Sequence, residues 1–340
     1  MAAAQHLSAV NGQQHEPGYT KPLYCDVQDL LSRGPVQPPV PEYGLRIDQV
    51  GIFYRGMVNS LIGDPESGKT WLALAAVADL LIAGGSVLII DLDHNGPQAT
   101  ISRLRAFGVP VEVLSDPNRF RYTAADDPEA IVGVVRDAGI WVPDFVVIDS
   151  VGELLPLYGA NSNSADDFTR VHSIAIKPFA TAGSCVVLID HQAKGSDSRS
   201  FGATGTAAKK RAISGTLIRV TIDQPFTPGS GGIAELTLVK DRHGGLRAHC
   251  PKDREPLVGR FKMTDMEGAL LWSISAPEAG ERPVMSSKVD GATPEQLLKQ
   301  LSELVPAPTS IRDVKLRCGW GSTKASEAWR LWQEREGVPA

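Results

Sequence analysis

Leu61-Ile62-Gly63-Asp64-Pro65-Glu66-Ser67-Gly68-Lys69-Thr70 decides how the rest of this chain is read. The stretch fits G-x-x-x-x-G-K-[ST], the pattern of a loop that wraps a phosphate chain. Each constrained position has a physical task. Gly63 and Gly68 let the backbone turn tightly, so that successive N–H groups face phosphate oxygens. Lys69 places an ammonium on the β- and γ-phosphates, and Thr70 offers a hydroxyl to the Mg²⁺ that bridges them. The flanks agree. Met57 to Ile62 reads as a short buried strand, and Thr70 to Ile82 (TWLALAAVADLLI) as a helix ended by Gly84-Gly85. Strand, glycine loop and helix N-terminus in that order form an anion site. The expected nucleotide-binding set is Gly63, Asp64, Pro65, Glu66, Ser67, Gly68, Lys69, Thr70 and Trp71.

The chain has 340 residues, enough for one sizeable α/β domain and a smaller unit. Its composition, 42% hydrophobic and 21% charged, is that of an ordinary globular protein. The formal net charge of −5 carries no global basic signature, so any nucleic-acid contact has to come from a local patch. Cys25, Cys185, Cys250 and Cys318 are scattered, with no C-x-x-C pair. That argues against a disulfide framework or zinc ribbon and suits a reducing cytosol. His243, His249 and Cys250 match no standard metal spacing and read as loop residues. No stretch reaches the ~18 apolar residues of a membrane span, and the N-terminus lacks the basic-then-apolar order of a signal peptide. A cytosolic protein without membrane contact is expected.

Residues 1 to about 45 read as a tail, with Pro35, Pro38, Pro39 and Pro41 stiffening an extended linker. From 46 to 277 strands and helices alternate, which signals a mainly parallel sheet covered on both faces. Strands are expected at Ser86–Leu92, Phe120–Tyr122, Phe145–Asp149 and Cys185–Asp190, and helices at Gln98–Phe107, Asp127–Asp137 and Asp166–Ala182. Thr216–Ile222 and Ala234–Lys240 alternate as edge or antiparallel strands do. Residues 278–292 are a Pro/Gly/Ser linker. A small helical unit, 293–340, follows, with Thr293 as N-cap, Pro294 in the first turn and Gln296 closing a capping box.

Several residues carry candidate chemistry. Asp149 closes the apolar run Phe145-Val146-Val147-Ile148, 80 residues beyond Lys69 (149 − 69). An acid at the carboxyl end of a buried strand downstream of a phosphate loop is placed to hold Mg²⁺ through water. Asp91 and Asp93 end the strand after the loop helix. Asp93 is the candidate base for the attacking water, with a structural role as the competing reading, and Asp91 is a supporting group. His191 follows the strand at 185–190, either as a hydrogen-bonding sensor of the γ-phosphate or as a solvent-facing loop histidine. Lys240 and Arg242 point the same way off an extended segment. They suit either a solvated basic turn or a cation pair completing a neighbouring subunit's site. Lys194, Arg199, Lys209, Lys210 and Arg211 lie among Gly and Ser, a stretch suited to phosphate-backbone contact or to a plain surface loop. Ile311–Trp332 reads as two short helices joined at Gly319–Gly321. Its five basic and two acidic residues fit a helix-turn-helix or a helical hairpin docking on a partner.

Taken together, GDPESGKT (63–70), VLIIDLDHNGPQATISRLRAFG (87–108), VVIDSVGELL (146–155), NSNSADDF (161–168), VVLIDHQAK (186–194) and LVKDRHGG (238–245) carry a family resemblance. Residues 46–245 resemble the RecA-like ATPases of the plasmid RepA and DnaB-type replicative helicase group, above all AAA-family ATPases of actinobacterial phages and mobile elements. The resemblance implies a RecA-like P-loop NTPase core that uses ATP and Mg²⁺. It implies a homo-oligomeric ring with sites shared between subunits, and action on DNA, chiefly single-stranded. By the same resemblance Asp93 is the catalytic base, His191 the γ-phosphate sensor, Lys240 and Arg242 the pair supplied across the interface, and 194–211 the DNA-facing loop. The family has Glu where this chain has Asp93, one methylene shorter. The N-terminal domain typical of DnaB proteins is absent, so primase-type partnering is not implied.

Overall fold

The computed structural model describes residues 24–35, 37–191, 207–278, 281, 294–318, 320 and 322–336. The chain divides into two compact units, 1–39 and 40–340. In the first, α1 (Val27–Ser32) is a short helix whose N-cap Asp26 accepts a hydrogen bond from the Asp29 N–H.

The second unit is built in the order β1 (Val58–Gly63), α2 (Lys69–Ile82), β2 (Val87–Asp91), α3 (Pro97–Ala106), α4 (Val111–Ser115), β3 (Phe120–Thr123), α5 (Pro128–Trp141) and β4 (Phe145–Asp149). It continues with α6 (Val151–Leu157), α7 (Ala165–Val171), α8 (Lys177–Ala182), β5 (Cys185–His191), α9 (Ala207–Ala212), β6 (Thr216–Thr227), β7 (Gly231–Asp241), β8 (Leu257–Met266) and β9 (Ala269–Ser275). One nine-stranded sheet runs β3-β2-β4-β5-β1-β6-β7-β8-β9. Strands β3, β2, β4, β5, β1 and β6 pair in parallel, and β6 to β9 form an antiparallel extension.

Period-2 alternation sorts the apolar strands into two cores. Val87, Ile89, Phe145, Val147, Cys185, Val187 and Ile189 face one side with the apolar residues of α2. Leu88, Ile90, Val146, Ile148, Val186 and Leu188 face the other, with residues of α5 to α8 such as Ile131, Leu155, Phe168 and Phe179. Burial on both faces is why these strands read as unbroken apolar runs.

Three features differ from the sequence expectation. The core begins before residue 46. Glu42 and Tyr43 N–H groups donate to the Phe53 carbonyl, Ile52 and Phe53 N–H groups donate to the Tyr43 carbonyl, and Ile52, Phe53 and Tyr54 are fully buried. The helix expected over 166–182 holds a wide π-type turn at His172–Ile176 between α7 and α8. Pro178 follows this turn; lacking an N–H, it cannot bond four residues back, and a widened turn accommodates the loss. Strands β8 and β9, unread from sequence, form a hairpin closed by the two-residue turn Glu267-Gly268.

In the C-terminal part, α10 (Pro294–Ser302), α11 (Ile311–Cys318) and α12 (Ser322–Glu336) share a small core of Leu297, Leu301, Val314, Ala325, Ala328 and Trp332. The expected cap Thr293 lies outside the described residues. Among the described residues no helix is long and apolar enough to cross a membrane.

Phe53 sits edge-on to Phe145 at 6.1 Å, and Tyr43 does the same at 5.6 Å, fastening residues 41–54 to the sheet. Phe53→Ala is expected to cost about 3–5 kcal/mol of unfolding free energy, read from denaturant titration. A cost under about 1 kcal/mol would show that the segment is not part of the core.

Candidate nucleotide-binding site

The parallel register brings the chemistry to one edge. Gly63 lies beside His191, Asp91 beside Asp149, and Asp149 beside Ile189. All these strands end on the same side, where open parallel sheets place their ligands. There the loop after β1 lines an open cavity of about 750 Å³, together with Asp93, Asn95, Asp149 and His191.

Close contacts explain the glycines of the loop. A Cβ on Gly63 would come within 2.3 Å of the Val220 carbonyl oxygen on β6. Gly68 has φ +95°, and a Cβ there would come within 2.3 Å of the Phe226 ring. Gly68 is also the residue from which α2 starts, so the helix N-terminus opens directly onto the cavity.

Lys69 is buried, and its ammonium donates to the carbonyls of Gly63 (3.1 Å) and Asp64 (2.7 Å). Burial pushes its pKa down, against the opposing pull of Asp149, Asp64 and Asp93. The Thr70 hydroxyl donates to Asp149 Oδ2 at 2.9 Å. The Asp149 carboxyl, 4% exposed, is pushed up to about 6 by burial and by the nearby charges of Asp93 and Asp91, partly countered by Thr70 and Lys69.

Asp91 shapes the loop that carries Asp93. Its carboxylate accepts from the backbone of Asp93, Asn95 and Gly96, from Asn95 Nδ2 and from the Tyr122 hydroxyl at 2.5 Å. Burial pushes its pKa up, but these donors outweigh burial and hold it below the usual carboxylate value. Asp93 itself is exposed on the cavity wall, with its N–H bonded to the Asp149 carbonyl at 2.9 Å.

These residues fit Mg²⁺. The ion prefers octahedral oxygen coordination at about 2.1 Å, which sets neighbouring ligand oxygens about 3 Å apart. The Thr70 hydroxyl is an oxygen ligand of the right kind, and Asp149 Oδ2, 2.9 Å from it, is placed to accept from an ion-bound water. Among the described residues no group of three or more His, Cys, Asp or Glu side chains forms a protein-only metal cage.

Pro65, Glu66, Ser67 and Trp71 line the cavity, and the Asp64 carbonyl holds Lys69. His191 ends β5 on the cavity wall, its N–H donating to Asp190 Oδ1. Arg242 is exposed just past β7. Lys240 is not extended into solvent: its ammonium donates to the carbonyls of Lys210, Arg211 and Ile213. Lys209 departs furthest from its expected place on a phosphate-facing loop. It is buried and ion-paired with Asp190 at 2.7 Å, because an unpaired carboxylate at that depth would be strongly disfavoured. Lys210 is half-buried and Arg211 exposed, while Lys194 and Arg199 lie outside the described residues.

Sequence reasoning missed three residues on the cavity wall. Asn95 Nδ2 lies 3.4 Å from Asp149 Oδ2, Arg103 sits over the face of Trp71 at 4.9 Å, and Phe226 covers the loop at Gly68. Asn95 was legible as a polar residue two past Asp93. Phe226 was not, since it reaches the loop through an antiparallel hairpin distant in sequence.

Fold and site define a RecA-like P-loop nucleotide-binding core. Comparison with known proteins finds similarity over part of the chain. A family model described as an AAA domain matches residues 37–197, just under half of the chain. Protein RecA 1 of Myxococcus xanthus is 30% identical over 164 residues, covering 44% of this chain and 45% of that protein. Protein RecA of Bacillus subtilis is 33% identical over 122 residues, 34% of this chain and 32% of its own length. Protein RecA of Gloeothece citriformis is 28% identical over 241 residues, 67% and 62%. This chain thus spans less than half the length of the Myxococcus protein and about a third of the Bacillus one. A solved KaiC-like protein from Pyrococcus horikoshii OT3 superposes with a TM-score of 0.47 at 13% identity, over 70% of this chain and 97% of that one.

Two outcomes test the site. Gly68→Ala combines a positive φ with a clash and is expected to weaken nucleotide binding at least tenfold in a titration, by about 1–2 kcal/mol or more. Asp149→Asn is expected to stabilise the ligand-free protein at pH 7.5. The folded pKa, about 6, lies above the ordinary 3.8. The carboxyl is therefore at no disadvantage below pH 4, and its ionisation opposes folding increasingly as pH rises to about 6 and fully above it. The gain, about 1–3 kcal/mol by thermal melting, should vanish toward pH 4; a gain that is flat with pH would contradict it.

Proposed function

We propose that this chain binds and hydrolyses ATP with Mg²⁺, and that it acts on DNA as a RecA-like motor or remodelling ATPase. The observation that carries the reading is the 2.9 Å contact of Thr70 with Asp149 beside the buried ammonium of Lys69. A hydroxyl, a carboxylate and a lysine converging on a glycine loop match the polar groups that hold a metal-bound triphosphate.

The residues divide the work. Lys69 exchanges its loop carbonyls for β- and γ-phosphate oxygens. Thr70 and Asp149 would hold Mg²⁺, the former directly and the latter through water, and the ion would supply charge neutralisation to the phosphates. Asp93 accepts a proton from the attacking water, with its backbone fixed by Asp149 and Asp91. His191 hydrogen-bonds the γ-phosphate from the end of β5. Arg242 enters the site of an adjoining copy and stabilises transition-state charge, which makes the active form an oligomer, in our reading a ring. The motif resemblance supports the finer assignment, a helicase-like replicative protein of a phage or mobile element working on single-stranded DNA.

A second reading has one observation in its favour. Asp93 reaches one methylene less far than Glu, which suits an ATP-gated DNA-binding regulator with weak hydrolysis and no unwinding.

Lys69→Ala should lower ATP turnover at least about 100-fold. For the motor reading, single-stranded DNA should raise the wild-type rate, and the rate per subunit should rise with protein concentration. A rate indifferent to both would reject the motor. DNA binding that needs ATP but not turnover would favour the regulator.

A further inference from the structure

Helix α9 has six residues, too few to hold a helix unaided, so its anchors decide its position. Ala208 and the following Ile213 enter the second core. The other two anchors are ammonium groups. Lys209 Nζ meets Asp190 Oδ2 at 2.7 Å, with the two side chains 5% and 4% exposed. Lys240 Nζ donates to the carbonyls of Lys210 (2.7 Å), Arg211 (3.2 Å) and Ile213 (2.6 Å) at the helix C-terminus. An ammonium has three protons, and these three carbonyls occupy all of them. A cation in the last turn also suits the helix dipole.

Each anchor is next to a residue of functional interest. Asp190 directly precedes His191 and accepts its N–H at 2.9 Å. Lys240 lies two residues before Arg242, whose own N–H donates to the Gly215 carbonyl just past α9. We infer that α9 is a bracket joining the His191 end of β5 to the Arg242 end of β7, that Lys209 and Lys240 are its positioning residues, and that Arg242 alone of the K-x-R pair acts across a subunit boundary. The inference rests on the nucleotide-site reading above and deepens it. The bracket transmits because its joints resist stretching. Separating Lys209 from Asp190 would strand two charges away from water, and withdrawing Lys240 would strand the carbonyls that end the helix. A shift of β5 on nucleotide binding therefore carries α9 with it, and through Lys240 the approach to Arg242.

Amide hydrogen exchange on the full chain, with and without a non-hydrolysable ATP analogue, tests this. In the wild type the analogue should protect residues 63–70 and also change exchange over 207–213. The paired variant Asp190→Asn/Lys209→Met, which removes both buried charges together, should keep protection at 63–70 and an affinity within about threefold, while the change over 207–213 falls about fivefold or more. Lys240→Arg keeps a cation with several N–H donors and should retain at least about half the ATPase rate, whereas Lys240→Ala and Arg242→Gln lose about tenfold or more. An undiminished response at 207–213 in the paired variant, or Lys240→Arg as damaging as Lys240→Ala, would overturn the bracket. No wild-type protection at 63–70 would instead sink the nucleotide reading; protection there with no change at 207–213 would sink the bracket alone.

Discussion

The site imposes one constraint on the fold: an ionisable carboxylate has to be held, at a cost to stability, at the end of a buried strand. Asp149 has almost no solvent contact and two further carboxylates nearby, and it accepts from the Thr70 hydroxyl and, at 3.4 Å, from Asn95 Nδ2. Such a group is tolerated only where the surroundings fix its geometry and leave it a compensating role. The fixing comes from below. Strand β4 is sealed on both faces by the two cores, and its pairing with β2 and β5 sets Asp149 level with Asp91 and Ile189. A one-residue slip would turn every core residue of β4 to the opposite face and swing the carboxylate away from Thr70.

The two halves of the sheet contribute differently. The parallel half supplies the loop, the acids and His191. The antiparallel half adds the far wall: Phe226 from the end of β6 rests on Gly68 and stacks with Phe261 at 5.9 Å. The glycine-loop end of the cavity is thus lined by residues between Pro65 and His191, and the opposite wall by residues between Ile222 and Leu270. Between the halves, Asn59 ties β1 to β6 by accepting from the Thr216 N–H and hydroxyl, and it also accepts the Tyr54 N–H. A buried amide satisfied on several sides holds that junction in one arrangement.

Much of the parallel half was legible because its signals are local. The glycine loop, the apolar runs ending in Asp91 and Asp149, and the helix after Gly68 follow from short-range spacing, and the strand boundaries fall within about two residues of those read from the sequence. The antiparallel half was half legible. Thr216–Ile222 and Ala234–Lys240 show alternation, whereas in β8 the alternation is confined to the short stretch Arg260-Phe261-Lys262-Met263, behind Gly259 and ahead of the polar Thr264-Asp265. Lys209 and Lys240 were misleading for one reason. Charge in a sequence suggests solvent, whereas here a carboxylate and a set of helix-end carbonyls, both fixed by tertiary structure, draw the two ammonium groups inward.

The segment ahead of β1 bears on where the polypeptide can be divided. Arg46, 2% exposed, donates to the carbonyls of His249 and Val258, and Ile47 N–H donates to the Ile274 carbonyl, so this stretch is stitched to the antiparallel half as well as to Phe145. A boundary drawn from the nucleotide motif alone, at residue 46 or later, would remove Tyr43 and cut into a packed layer. Any shortened version meant to stay intact has to retain the chain from Val40 onward, and a fusion partner or affinity tag belongs upstream of that point.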